Sequence, residues 1–205
     1  MKSVNSPLII LTLFALTAQD PAYSATGDMG MSLPANFRAF SQDSPWNTPI
    51  PSNAEVDPDS ETMITHLKNK TKILKGNITN WSVPLFVIDE TLSPKQNVKT
   101  NSEHLNPLVD PDDMGIAKDL PIPDDVWPDP QTDGHMLLVD PVARKSWDFS
   151  KVKRQPDGSW RASMIFTWDL NGPGTVEPFS GNYWWTLGVR GAGMPLIGGL
   201  LRPEE

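Results

Sequence analysis

Apolar and polar positions keep several different rhythms along this chain of 205 residues, and each rhythm predicts a different element. Residues 7–18 are a nearly continuous apolar run. Residues 25–56 have no period. Phe37, Phe40 and Trp46 stand apart there as anchors that would lace an extended, Pro-punctuated segment onto a core. A helical rhythm follows. Asp57 is placed as its cap, Pro58 in its first turn, Asp59 and Glu61 beside the N-terminal dipole, and Lys68, Lys70 and Lys72 toward the C-terminal end. Met63, Ile64 and Leu67 make one narrow apolar face, which predicts that this helix packs on something larger.

Strand-like stretches follow. Ser82 to Asp89 reads as a buried strand, with Pro84 near its start, where a missing donor is tolerated. Residues 93–132 carry many Asp-Pro and Pro-Asp steps and little periodicity, so they are expected to form a long loop-like insert. Strands resume at Met136 to Asp140. Ser146 to Val152 and Trp160 to Asp169 alternate well and flank Pro156-Asp157-Gly158, a hairpin signal. Asn171-Gly172-Pro173-Gly174 is another turn and Tyr183 to Val189 another strand, while Met194 to Leu201 reads as a short helix or a final strand. The sum is a mostly β chain, a sandwich or jelly-roll-like body with one or two short helices.

Composition narrows the setting. The 21 prolines are about twice the usual usage of roughly 5%, which confines helices to short windows. Lys2, the apolar run and Ala22-Tyr23-Ser24 together read as an export signal over residues 1–24, cleaved before Ala25; the competing reading is an uncleaved anchor. Residues 25–205 are then expected to form one β-rich domain of a secreted or periplasmic protein, with no membrane contact after cleavage. The net charge is −8, and removing Lys2 and Asp20 leaves it unchanged. Such a surface repels phosphate backbones and anionic lipids, which argues against nucleic acid and membrane. It also weakens the case for a polyanionic substrate unless Arg and Lys converge locally. With no cysteine, stability must come from packing, ions or partners.

Chemistry concentrates after residue 132, where five of the eight tryptophans lie. His135 stands at a strand start beside Asp133, where an imidazole held by a carboxylate can act as a general base; the bland reading is a strand-end His bonded to a backbone carbonyl. His66 and His104 have no partner in sequence, and no zinc spacing or serine elbow occurs. Asp129, Gln131, Asp133, Gly134 and Asp140 loosely match a calcium-loop spacing, against the simpler reading of a turn entering a strand. Trp147, Trp184 and Trp185 are candidate plates for a sugar ring, against core packing.

The blocks Ser44-Pro45-Trp46-Asn47-Thr48-Pro49-Ile50-Pro51, Asp133-Gly134-His135-Met136 through Val139-Asp140-Pro141, Trp147-Asp148-Phe149, and Gly193-Met194-Pro195-Leu196 through Arg202-Pro203-Glu204-Glu205 together resemble a group of exported, mostly uncharacterised bacterial proteins in which similar blocks recur in this order. The resemblance implies an association with polysaccharides and names no reaction. Members of the group continue past the last block, so this chain is expected to be a short or truncated member. The residues themselves leave three readings open. A lyase would use His135 or Tyr183 as base, with Arg190 neutralising a uronate carboxylate. A glycosidase would need two carboxyls among Asp133, Asp148 and Asp169. A non-catalytic module would bind a polysaccharide through its tryptophans. None of the three requires a cofactor.

Overall fold

The computed structural model describes residues 32–70, 81–100, 115–175, 188–191 and 193–200. They contain one helix, α1 (Ser60–Lys70), and eight strands: β1 (Leu85–Val87), β2 (Lys95–Thr100), β3 (Ile116–Pro121), β4 (Met136–Asp140), β5 (Lys145–Ser150), β6 (Lys153–Arg154), β7 (Trp160–Ala162) and β8 (Met164–Asp169). The strands form two four-stranded sheets, ordered β1-β4-β5-β8 and β3-β2-β7-β6. Each sheet is mixed, because β1 runs parallel to β4 and β2 parallel to β7. The body is therefore mostly β and sandwich-like, as the alternation predicts.

Strand alternation explains how the layers meet. In β5, Trp147 and Phe149 point one way and Ser146 and Asp148 the other. Trp147 and Phe149 join Phe86, Met136, Leu138 and Ile165 of the first sheet against Val98, Ala117, Leu120, Trp160 and Ala162 of the second. The first sheet is also covered on its far side. There Leu137, Val139, Trp168 and Leu170 pack with Phe40 and Leu196, and Phe37, Trp46 and Val189 lean on them. Strand β4 is buried along its whole length for that reason. The expected aromatic anchors of residues 25–56 are present in Phe37, Phe40 and Trp46.

The far-side cover is pinned by specific bonds. Ser44 Oγ donates to Pro173 O at 2.7 Å and Trp46 Nε1 to Gly174 O at 2.8 Å. Asn47 Nδ2 ties its own segment together through Ala39 O and Ser41 O, at 2.9 and 2.8 Å. A Cβ on Gly198 would lie 2.8 Å from the Trp46 ring, so only glycine lets the indole seat against the backbone of the 193–200 segment.

Several expectations change. The anticipated hairpin exists, but each long strand breaks in two. Ser146 to Val152 becomes β5 and Val152 leading into β6, and Trp160 to Asp169 becomes β7 and β8. The break falls at Lys151, which has φ 49°, and at Ser163, so the hairpin starts in the first sheet and ends in the second. The supposed loop insert contains β2 and β3. Pro94, Pro121 and Pro123 hide an alternation in which Val98 and Thr100 are buried and Lys95, Asn97 and Lys99 exposed. The helix forms, with Asp57 Oδ1 accepting from Asp59 N at 2.8 Å, but none of its residues is buried. Met63, Ile64 and Leu67 remain 49–63% exposed, because three apolar side chains on a polar helix offer little area to bury. Residues 194–200 are neither helix nor strand but successive turns, with Gly198 N bonded to Pro195 O and Leu200 N to Ile197 O. The expected strand at 183–189 and the export signal lie outside the described residues, apart from 188 and 189, which are not in a strand.

Candidate functional site

His135 immediately precedes β4, where the strand's alternation carried back one residue puts it on the side of Leu137 and Val139, the far face of the first sheet. Its position is fixed by the backbone: its carbonyl accepts from Asp129 N at 2.9 Å, and the neighbouring Gly134 carbonyl accepts from Val152 N at 3.0 Å. Gly134 holds φ 47° and its Cα faces Lys151 closely, so the Asp-Gly-His turn needs glycine to enter the strand. The imidazole is half-buried, and its ring makes no hydrogen bond among the described residues. Burial holds its pKa below the ordinary imidazole value. Asp133 and Asp129 oppose that shift, and Arg190 adds to it. The structure thus brings His135, Asp133 and Arg190 into one electrostatic neighbourhood. Asp133 itself is exposed. Tyr183 lies outside the described residues.

Arg190 is held in place by the segment that follows it. Its guanidinium donates to Leu196 O at 3.1 Å and Gly198 O at 3.3 Å. It also acts on Asp148, which sits opposite Leu137 in the register. Asp148 Oδ2 accepts from Leu196 N at 2.7 Å and from Trp168 Nε1 at 2.9 Å. Burial pushes this carboxyl up to about 7, against the pull of those two bonds and of Arg190. Its Oδ1, like the hydroxyl of neighbouring Ser146, has no partner among the described residues.

Two expected site residues are corrected by this geometry. Asp148 is fully buried and cannot flank a glycosidic bond; its work is to clamp the 193–200 segment onto the sheet. Trp147 is 5% exposed in the core between the sheets and offers no plate to a sugar. Trp160 and Trp168 are equally enclosed, and Trp184 and Trp185 lie outside the described residues. The glycosidase pairing fails for a second reason. Asp169 pairs with Lys145 at one end of β5, and the Asp133 carbonyl takes Lys151 N beyond its other end. Six strand residues separate them by about 20 Å, twice what an inverting pair needs.

The calcium-loop spacing resolves into ordinary backbone turns. Asp129 accepts from Ser82 N, Ser82 Oγ and Gln131 N, and Asp140 from Glu90 N, Val142 N and Ala143 N. The extended β4 between them carries Asp140 away from Asp129, whereas a calcium loop must curl its first and twelfth positions together. No cluster of three metal-ligating side chains occurs among the described residues.

Two features escaped the sequence reading. Trp81, 52% exposed, adjoins Ser82 and so sits beside the Asp129 turn that holds His135. On the outer face of the second sheet, a cleft of about 500 Å³ is lined by Asn97, Lys99, Gln155, Asp157, Ser159 and Arg161, among others. A smaller cleft of about 260 Å³ lies between the 33–47 segment and residues 197–200, and is mostly apolar. The segments carrying the four resemblance blocks, as far as they are described, all reach the first sheet or its far-side cover. Comparison with protein-family models, curated proteins and solved structures finds no match. Among the described residues no helix is long and apolar enough to cross a membrane.

Proposed function

We propose that this is an exported carbohydrate-active protein that acts on an acidic polysaccharide by β-elimination. One observation carries the reading: an imidazole without a hydrogen-bond partner among the described residues, its charged form disfavoured by burial, shares its surroundings with the Arg190 guanidinium. A lyase needs both. In the step envisaged, Arg190 neutralises the uronate carboxylate and acidifies the C5 hydrogen. His135 takes that proton, the released electron pair forms the C4=C5 double bond, and the C4–O glycosidic bond breaks. The leaving oxygen then takes a proton from the imidazolium or from water. Burial favours neutral His135 at pH 7, the form a base requires. Asp133, on the opposite side of the charge balance, limits how far the pKa falls.

A second reading is favoured by the burial of Trp147 and Asp148: a non-catalytic module that binds polysaccharide through a surface away from His135. Incubation with a panel of neutral and acidic polysaccharides separates the two. The lyase reading expects new ultraviolet absorbance from an unsaturated uronate, absent with His135→Ala. Its half-maximal pH should fall below the usual imidazole value of about 6.5, because the shift is downward. Binding without that absorbance would leave the module and remove the lyase.

A further inference from the structure

The outer face of the second sheet places cations in a row. Register sets Lys99 of β2 opposite Arg161 of β7, and Arg161 opposite Lys153 of β6. All three point away from the core, since their neighbours Val98, Trp160, Ala162 and Val152 are buried. Adjacent strands lie about 4.8 Å apart, so three like charges stand side by side at that interval. None has an ion-pair partner among the described residues, whereas Lys145 and Arg154 pair with Glu90 and Asp124. Like charges directly opposite one another on a sheet cost stability. On a chain of net charge −8 the arrangement is also against the overall balance.

The row borders a shallow, open cleft. Lys99 and Arg161 line the 500 Å³ cleft together with Asn97, Gln155, Ser159 and Asp157. Asp157 is an anion in the same cleft. Its Oδ1 is turned toward Ser159, accepting from N at 3.0 Å and Oγ at 2.7 Å, and those bonds hold it below the usual carboxylate range. Asn97 uses its Oδ1 to accept from Asp119 N, which leaves its amide hydrogens facing outward as donors. The cleft therefore offers two cations beside neutral amides and one anion, Asp157, already engaged by Ser159, a combination that meets a carboxylate and its neighbouring hydroxyls.

We infer that the outer face of the second sheet, centred on Lys99 and Arg161 and extended by Lys153, is a docking site for an acidic polysaccharide chain, with uronate carboxylates on the cations and ring hydroxyls on Asn97 and Gln155. The choice of a glycan over other polyanions rests on the proposed function. The site itself rests on the register and the cleft. A nucleic acid fits less well, because the one aromatic among the described residues that line the cleft, Trp160, is 2% exposed and offers no face for a base. An anionic membrane fits less well because a chain of net charge −8 is repelled by an extended anionic surface.

The test compares Lys99→Ala/Arg161→Ala with a charge-matched control on the helix, Lys68→Ala/Lys70→Ala, in the full chain. Binding of polygalacturonate, alginate, duplex DNA and phosphatidylserine vesicles is measured at low and high salt. The site expects the cleft variant to melt like the parent protein and to bind one of the uronans about tenfold more weakly, the scale of two exposed charge contacts. Parent binding should weaken with salt, and the control should bind as the parent does. Equal uronan binding by parent and cleft variant would overturn the site. Tighter, Lys99- and Arg161-dependent binding of DNA or vesicles would overturn the glycan. His135→Ala is carried alongside: uronan binding that depends on the cleft, without elimination product from the parent protein, would defeat the lyase and leave the docking site standing.

Discussion

The two sheets share one rule of alternation and finish with opposite outer faces. The first sheet turns Trp147 and Phe149 toward its partner and Ser146 and Asp148 away, yet the far side is sealed by Phe40, Trp46, Leu196 and their neighbours. The second sheet turns Val98, Trp160 and Ala162 inward and leaves Lys99, Arg161 and Lys153 in water. The same polar positions that look reactive along β5 thus become internal fasteners, while undistinguished lysines on β2 and β6 become surface chemistry. Burial, not residue type, assigns the role.

The contrast is sharpest in stability. Phe149→Ala empties a fully buried position and should cost about 3–5 kcal/mol in chemical denaturation. Lys99→Ala, on the open face of the other sheet, should stay within about 0.5 kcal/mol of the parent protein. Similar losses from the two would mean that the second sheet's outer face is covered after all.

Asp148→Ala comes next. It strands the Leu196 N–H and Trp168 Nε1–H inside the protein, and about 2–4 kcal/mol should be lost, with amide exchange of the 193–200 segment accelerated. Asp148→Asn keeps an acceptor and should cost less. It also carries a pH signature. The folded carboxyl is raised from 3.8 to about 7, so its stabilising contribution is complete below pH 3.8 and disappears as pH rises through 7. Asp148→Asn should therefore gain on the parent protein between pH 4 and 8, by at most about 4 kcal/mol. His135, shifted downward, has the opposite slope, losing stability as pH drops below the ordinary imidazole value. A difference between Asp148→Asn and parent that does not change with pH would refute a buried, proton-bearing Asp148.

Gly198→Ala probes the seal itself. A methyl 2.8 Å from the Trp46 ring must push the indole or the backbone aside, at about 1–3 kcal/mol, and should quench or shift indole fluorescence. No change would show that the 33–47 segment does not rest on the 193–200 turns.

Much of this was readable from the residues. The apolar runs around Leu85 and Leu138 and the alternation around Phe149 named strands of the first sheet, and isolated Phe37, Phe40 and Trp46 named the straps. What failed shares one cause: position in sequence carries no register. Nothing in Lys95 to Thr100 tells that Lys99 meets Arg161 across a parallel pair sixty residues away, so the cation row was invisible. Pro94, Pro121 and Pro123 masked β2 and β3, since Pro94 directly precedes β2 and Pro121 is the last residue of β3. Asp148 beside Trp147 looked like a site because both types do carry sugar chemistry. The second sheet turns Trp147 into core, and the cover contributed by residues 33–47 and 193–200 turns Asp148 into a clamp. His135 and Arg190 were legible as types, and the fold brings their charges together.

Amide spectra of labelled protein titrated with an oligouronate address the contrast between the faces most directly. The account predicts shifts that saturate at Lys99, Ser159 and Arg161, besides any at His135 and Arg190, with the enclosed Leu138 and Phe149 unmoved. Shifts concentrated in the 33–47 and 193–200 cover, with the second sheet silent, would contradict it.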